Sequence, residues 1–123
     1  MKSNPVGWFE IYVQDLDRAK TFYESVFQVK LDRLNSPAIE MWSFPSDMNR
    51  YGTSGALVKM AGVASGGNST LVYFSCEECS MEESRVTKSG GSIYRSKMSI
   101  GEYGFITLAV DTEGNMFGLH SLK

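Results

Sequence analysis

The stretch "WFEIYVQDLDRAKTFYESVF" (residues 8–27) changes its period half-way along. Up to Val13 it alternates. Trp8, Glu10 and Tyr12 take one side of an extended chain, and Phe9, Ile11 and Val13 take the other. Past the aspartates, Leu16, Ala19, Phe22, Tyr23, Val26 and Phe27 follow helical spacing and form one apolar stripe. Asp15 or Asp17 supplies the carboxylate that accepts the free N–H groups of a helix start. A strand therefore hands over to a helix across a carboxylate cap.

Further along, "IEMWSF" reads as a strand, "PSDMNRYGTSG" as a loop and "GALVKM" as another strand. "AGVASGGNS" reads as a linker, and then the order repeats. "TLVYFSC" is a strand. In "SMEE", Ser80 and Glu83 have capping-box spacing for a helix that ends at Ser89-Gly90-Gly91. "SIYRSK" is a short strand, and "GFITLAV" and "MFGLHSL" are two more, joined by the turn "DTEGN". A shift of 63 residues lays Val13 on Cys76, Asp15 on Glu78 and Leu31 on Tyr94. Few identities survive the shift, but the order of elements does. The expected fold is α+β, with two βαβββ modules in one domain spanning 1–123. Module one covers about 5–60 and module two about 69–122.

Composition narrows the function. The 123 residues carry a net charge of −2, 12 basic against 14 acidic, with no Lys/Arg cluster, so nucleic acid is not an expected partner. No apolar run approaches the roughly 20 residues of a membrane span. "MKSNPVGWFE" lacks the apolar core of a secretion signal, so a cytoplasmic address is expected. Cys76 and Cys79 form a CxxC, but His120 is the one histidine, and Glu77 and Glu78 oppose a thiolate. These thiols read as incidental. The acidic run "CEECSMEE" reads as a solvated helix start, because it lacks the spacing of a calcium loop. Met41, Met48, Met60, Met98 and Met116 read as core first and pocket second.

"VQDLDRAKTFYESVF" resembles the helix-entry motif of the vicinal oxygen chelate superfamily, which includes glyoxalases, bleomycin-resistance proteins and dioxygenases. "VDTEGNMFGL" resembles that family's last hairpin, with Thr112 where proline is common. The resemblance spans about Val6 to His120 and implies sheets curled into a cup. It also implies a homodimer and a small-molecule ligand. Metal-dependent members hold a divalent ion with His, Gln or Glu at four strand positions, and the metal stabilises an oxyanion. Those positions fall here on Trp8, Gly55, Leu71 and Gly118. None of these side chains ligates such a cation, so no metal or other cofactor is expected.

Glu10 is two residues past Trp8, Tyr73 two past Leu71 and His120 two past Gly118, so all are candidates to line the cup. The expected ligand-binding set is Trp8, Glu10, Trp42, Leu71, Tyr73, Tyr103, Gly118 and His120. Trp8, Trp42 and Tyr73 would form an aromatic wall, and Tyr103 a flap. Three functions fit: a metal-free small-molecule binder, a lactoylglutathione-lyase-like or isomerase enzyme with Glu10 as base and His120 as acid, and a non-catalytic interaction module.

Overall fold

The computed structural model describes residues 4–37 and 39–123. Strand β1 (Phe9–Tyr12) leads into helix α1 (Leu16–Phe27), followed by β2 (Asp32–Arg33), β3 (Glu40–Ser43) and β4 (Gly55–Lys59). The second series is β5 (Tyr73–Ser75), α2 (Cys79–Val86), β6 (Ser92–Ser99), β7 (Phe105–Val110) and β8 (Met116–Ser121). Each series makes its own four-stranded mixed sheet. The orders are β1-β4-β3-β2 and β5-β8-β7-β6, with β1 parallel to β4 and β5 parallel to β8. The α+β reading of two βαβββ units thus holds.

The first helix start takes one of its two expected caps, and the second departs from expectation. Asp15, not Asp17, caps α1, its carboxylate accepting from the Arg18 N–H at 3.0 Å. In α2 the cap is Glu78, which accepts from the Ser80 N–H at 3.2 Å and pairs with Lys97. The Ser80/Glu83 capping box is not made. Glu83 turns instead to the sheet, accepting from the Lys97 N–H at 2.8 Å and the Thr107 hydroxyl at 2.7 Å. The sixty-three-residue shift from Asp15 to Glu78 therefore relates two true caps. Beyond α2 a 3-10 turn runs to Ser89, and Gly90 ends it at φ 103°, a conformation that favours glycine. The acidic run does start the helix but is solvated only in part: Glu77 is exposed, whereas Glu82 and Glu83 are half-buried, and Glu82 lies 3.6 Å from Arg85.

The core lies on the helix side of both sheets. Tyr23 of α1 is fully buried, and its ring meets those of Phe22, Phe27, Phe44, Phe74 and Phe117. Phe74 of β5 in turn touches Phe9 of β1. One aromatic cluster therefore serves both modules. α2 buries only Cys79 and Val86, which explains its weak periodicity in the sequence.

A polar latch completes the docking. The β7–β8 turn carries Asp111, Glu113 and Asn115 to the start of α1. Glu113 accepts from the Gln14 and Asp15 N–H groups at 3.0 and 2.9 Å and from Arg18 Nε at 2.7 Å. Asn115 donates to the Tyr12 carbonyl at 3.0 Å, and the Tyr23 hydroxyl donates to Asp111 at 2.6 Å. Gly55 marks a close approach of another kind. A Cβ there would overlap the Phe9 backbone oxygen and ring. Gly55→Ala is expected to disturb the β1–β4 pairing and to lower stability by about 1–3 kcal/mol, read from a urea unfolding midpoint.

Candidate functional site

The face of each sheet turned away from the helices carries exposed side chains, Glu10 on the first and Tyr73 on the second. On the first sheet the alternation read from the sequence is realised: Ile11 and Val13 are buried in the core, and Glu10 is exposed. Trp8 is 43% exposed and donates from its indole Nε1 to Glu10 at 3.3 Å. The Tyr12 hydroxyl donates to the other Glu10 oxygen at 2.8 Å. That hydrogen bond, followed by burial and the Glu10 charge, raises the Tyr12 phenol above its ordinary value, so Tyr12 remains a donor. Beneath this row lie fully buried Ala56 and Val58, which face Glu10 and Tyr12 across β4.

Trp42 does not join Trp8. Its register partner is Leu57, a core residue, and the Lys20 ammonium of α1 sits over its ring at 4.5 Å. It therefore belongs to the helix side, and the expected aromatic wall of Trp8, Trp42 and Tyr73 is not assembled. Parity along β3 could have told this: Trp42 pairs with Leu57, which pairs with Ile11, so all three share one face. Tyr12, by contrast, shares the face of Glu10 and lies outside the expected ligand-binding set.

On the second sheet, Tyr73 is 46% exposed and stands opposite Gly118. A Cβ on Gly118 would overlap the Tyr73 ring, so the glycine is the seat of that ring. Leu71 is half-buried just ahead of β5, which is shorter than the expected strand. His120 pairs in register with Ser75 and Ile106, and its Nε2 lies 2.7 Å from the Tyr103 carbonyl oxygen. Tyr103 itself is 68% exposed on a 3-10 turn between Gly101 and Gly104, both at positive φ. His120 thus pins the segment expected to be a flap. Glu10 and His120 lie on different sheets, and among the described residues no hydrogen bond joins them.

Two surface depressions border the first sheet. One of about 490 Å³ is walled by Trp8, Pro45, Met48, Arg50 and Tyr51. The other, of about 750 Å³, is walled by Gln14, Arg33, Glu40, Lys59 and Val63. Of the expected ligand-binding residues, only Trp8 lines either one.

The cysteines belong to the core. Cys79 is fully buried, and Cys76 is raised to about 12, by burial first and by Glu82 next. The opposition to a thiolate thus comes from burial and Glu82, rather than from Glu77 and Glu78 as the sequence suggested. At pH 8, alkylation of Cys76 is expected to be about a hundredfold slower than that of an unfolded control, timed by mass spectrometry.

A family model for the glyoxalase/bleomycin resistance protein/dioxygenase superfamily matches residues 6–119. The chain belongs to this superfamily. A sequence search of curated proteins returns no match. Among solved structures, glyoxalase I from Zea mays, as its V278E mutant, superposes with a TM-score of 0.75 at 22% identity, covering 96% of this chain and 46% of that one. TnmS3, an antibiotic binding protein from Streptomyces sp. CB03234, gives 0.69 at 18% identity over 98% of both chains. A glyoxylase/bleomycin resistance protein/dioxygenase domain from Frankia sp. EAN1pec gives 0.73 at 17%, again over 98% of both. These likenesses are of fold. Among the described residues no helix is long and apolar enough to cross a membrane.

The structure corrects one of the four family ligand positions. Glu10 pairs with Ala56 and Tyr73 with Gly118, so Ala56 is the open-face counterpart of Gly118. Gly55 pairs with Phe9 and faces the core. On that register the family resemblance would place the four positions at Trp8, Ala56, Leu71 and Gly118, whose side chains offer a metal no ligand atom. The Tyr73 ring also fills the space a side chain on Gly118 would need. The residues present do not fit the family metal.

Proposed function

We propose that this superfamily member binds a small organic molecule against the open faces of its sheets, without a metal at the family position. The observation that carries the reading is the apolar set Trp8, Ala56, Leu71 and Gly118 at the four ligand positions. The exposed aromatic rings of Trp8 and Tyr73 support it, because apolar surface left open on a small domain marks a contact site. Met98, 40% exposed on the same side of β6, extends that surface. A second copy of the chain completes the enclosure as a homodimer. TnmS3 supports the reading as an antibiotic binding protein of the same fold. The lyase or isomerase reading draws less support. The hydrogen bonds of Glu10 run to Trp8 and Tyr12, and that of His120 to the Tyr103 backbone, which suits binding better than proton transfer.

The experiment has two arms. The purified chain is incubated with nickel, zinc, manganese and iron, desalted and analysed for metal, and it is screened by thermal shift against aromatic small molecules. Metal below about a tenth of an equivalent, with stabilising ligands found, is the expected result. Near-stoichiometric metal retention overturns the metal-free reading, and a screen with no stabilising ligand overturns the binding reading.

A further inference from the structure

The first open face carries one feature that the metal-free reading leaves unassigned. Glu10 is exposed, and among the described residues no Lys, Arg or His nitrogen lies within 4.0 Å of it. Its two oxygens instead take one hydrogen bond each, from Trp8 Nε1 at 3.3 Å and from the Tyr12 hydroxyl at 2.8 Å. Both donors are neutral. They orient the carboxylate without cancelling its charge, and each oxygen keeps a lone pair free. Both donors lie in their ring planes, and beside the negative charge Trp8 is 43% exposed and Tyr12 half-buried. Ring face and carboxylate attract the same partner, an organic cation, the first through its quadrupole and the second through its charge. Alongside, Trp8 walls the depression of about 490 Å³ with the apolar side chains of Pro45, Met48 and Tyr51, which could meet the body of such a molecule, and with Arg50, whose charge is paired with Asp47 at 3.5 Å.

We infer that Trp8, Glu10 and Tyr12 form the receptor for a protonated or quaternary amine carried on an apolar body. This rests on the small-molecule reading and names its ligand class. Anions are rejected by the uncompensated carboxylate, and neutral analogues lose the charge-assisted contact. Glu10 then acts as a fixed counter-ion rather than as a base.

The test follows the Trp8 indole N–H resonance by NMR, assigned with Trp8→Phe, while three probes of matched shape are titrated. These are phenethylammonium, phenethyl alcohol and hydrocinnamate. Saturable shifts are expected, with the ammonium binding at least about tenfold more tightly than the alcohol. Glu10→Gln, which preserves shape at an exposed position, is expected to remove that advantage and leave alcohol binding unchanged; Glu10→Ala is the second variant. Alcohol or carboxylate binding as tight as the ammonium overturns the cation assignment and leaves the small-molecule reading standing. Ammonium binding unaltered by both Glu10 variants overturns it too. The ligand screen above decides the broader reading independently.

Discussion

Replacing Glu113 by alanine is expected to lower the unfolding free energy by about 2–4 kcal/mol, although the residue sits in a turn. Its carboxylate is fully buried and is the common acceptor for Gln14 N–H, Asp15 N–H and Arg18. Alanine leaves two backbone donors at the start of α1 without an acceptor and cuts the latch between modules. Arg18 is 53% exposed, so Arg18→Ala removes a wet partner and is expected to lower stability by less than about 1 kcal/mol. The ratio of these two effects, from urea midpoints, is the measurement. Equal effects would mean that the ion pair matters and the helix start does not.

The same carboxylate sets an acid limit. Burial pushes Glu113 up, but the Arg18, Asp15, Thr112 and Gln14 hydrogen bonds outweigh it and bring the group from 4.5 to about 2. A pKa depressed by folding stabilises the fold above the unfolded value and loses that contribution as pH falls through the folded one. Wild type is therefore expected to lose roughly 3 kcal/mol from this group between about pH 4.5 and pH 2. Glu78, held at about 2 by Lys97 first and Ser80 next, titrates over the same range. The difference between wild type and Glu113→Gln isolates the Glu113 share. Asp111 acts in the opposite sense, since burial raises it and its ionisation weakens the fold as pH climbs past its unfolded value. A Glu113→Gln profile parallel to wild type would refute the assignment.

Tyr23→Ala is expected to be the most damaging core substitution, at about 3–5 kcal/mol. The ring touches five other aromatic side chains, drawn from both modules, so the cavity opens where the sheets share their core. Tyr23→Phe separates the ring from its hydroxyl. It keeps the packing but strips Asp111 of a 2.6 Å donor, and is expected to lower stability by about 1–3 kcal/mol. Asp111 keeps the N–H groups of Glu113 and Asn115, so the loss is partial. Calorimetric unfolding of both variants checks the order; Tyr23→Phe as damaging as Tyr23→Ala would place the stability in the hydrogen bond.

The sequence by itself determined the order of elements, a carboxylate cap at Asp15 or Asp17, the strand faces of β1 and the two-module plan. The elements, the cap and the strand faces are written in residues within one turn or one strand of one another, and the two-module plan in their recurrence 63 residues later. Periods of two and of 3.6 are local signals. It also exposed the apolar character of the ligand positions, since a side chain that carries no ligand atom is legible without coordinates. Only the tertiary structure decided which face Trp42 joins, because that depends on the register of β3 against β4 across an eleven-residue loop. The same dependence moved the fourth ligand position from Gly55 to Ala56. Strand pairing, not residue count, sets parity, and one residue of slip exchanges the core for the open face. Glu83 left its expected cap for Lys97 and Thr107, and Glu113 came to bind the Gln14 and Asp15 N–H groups and the side chain of Arg18, 95 residues away from it. A buried carboxylate goes wherever unpaired donors are, and those donors are brought together by packing that no short stretch of chain records.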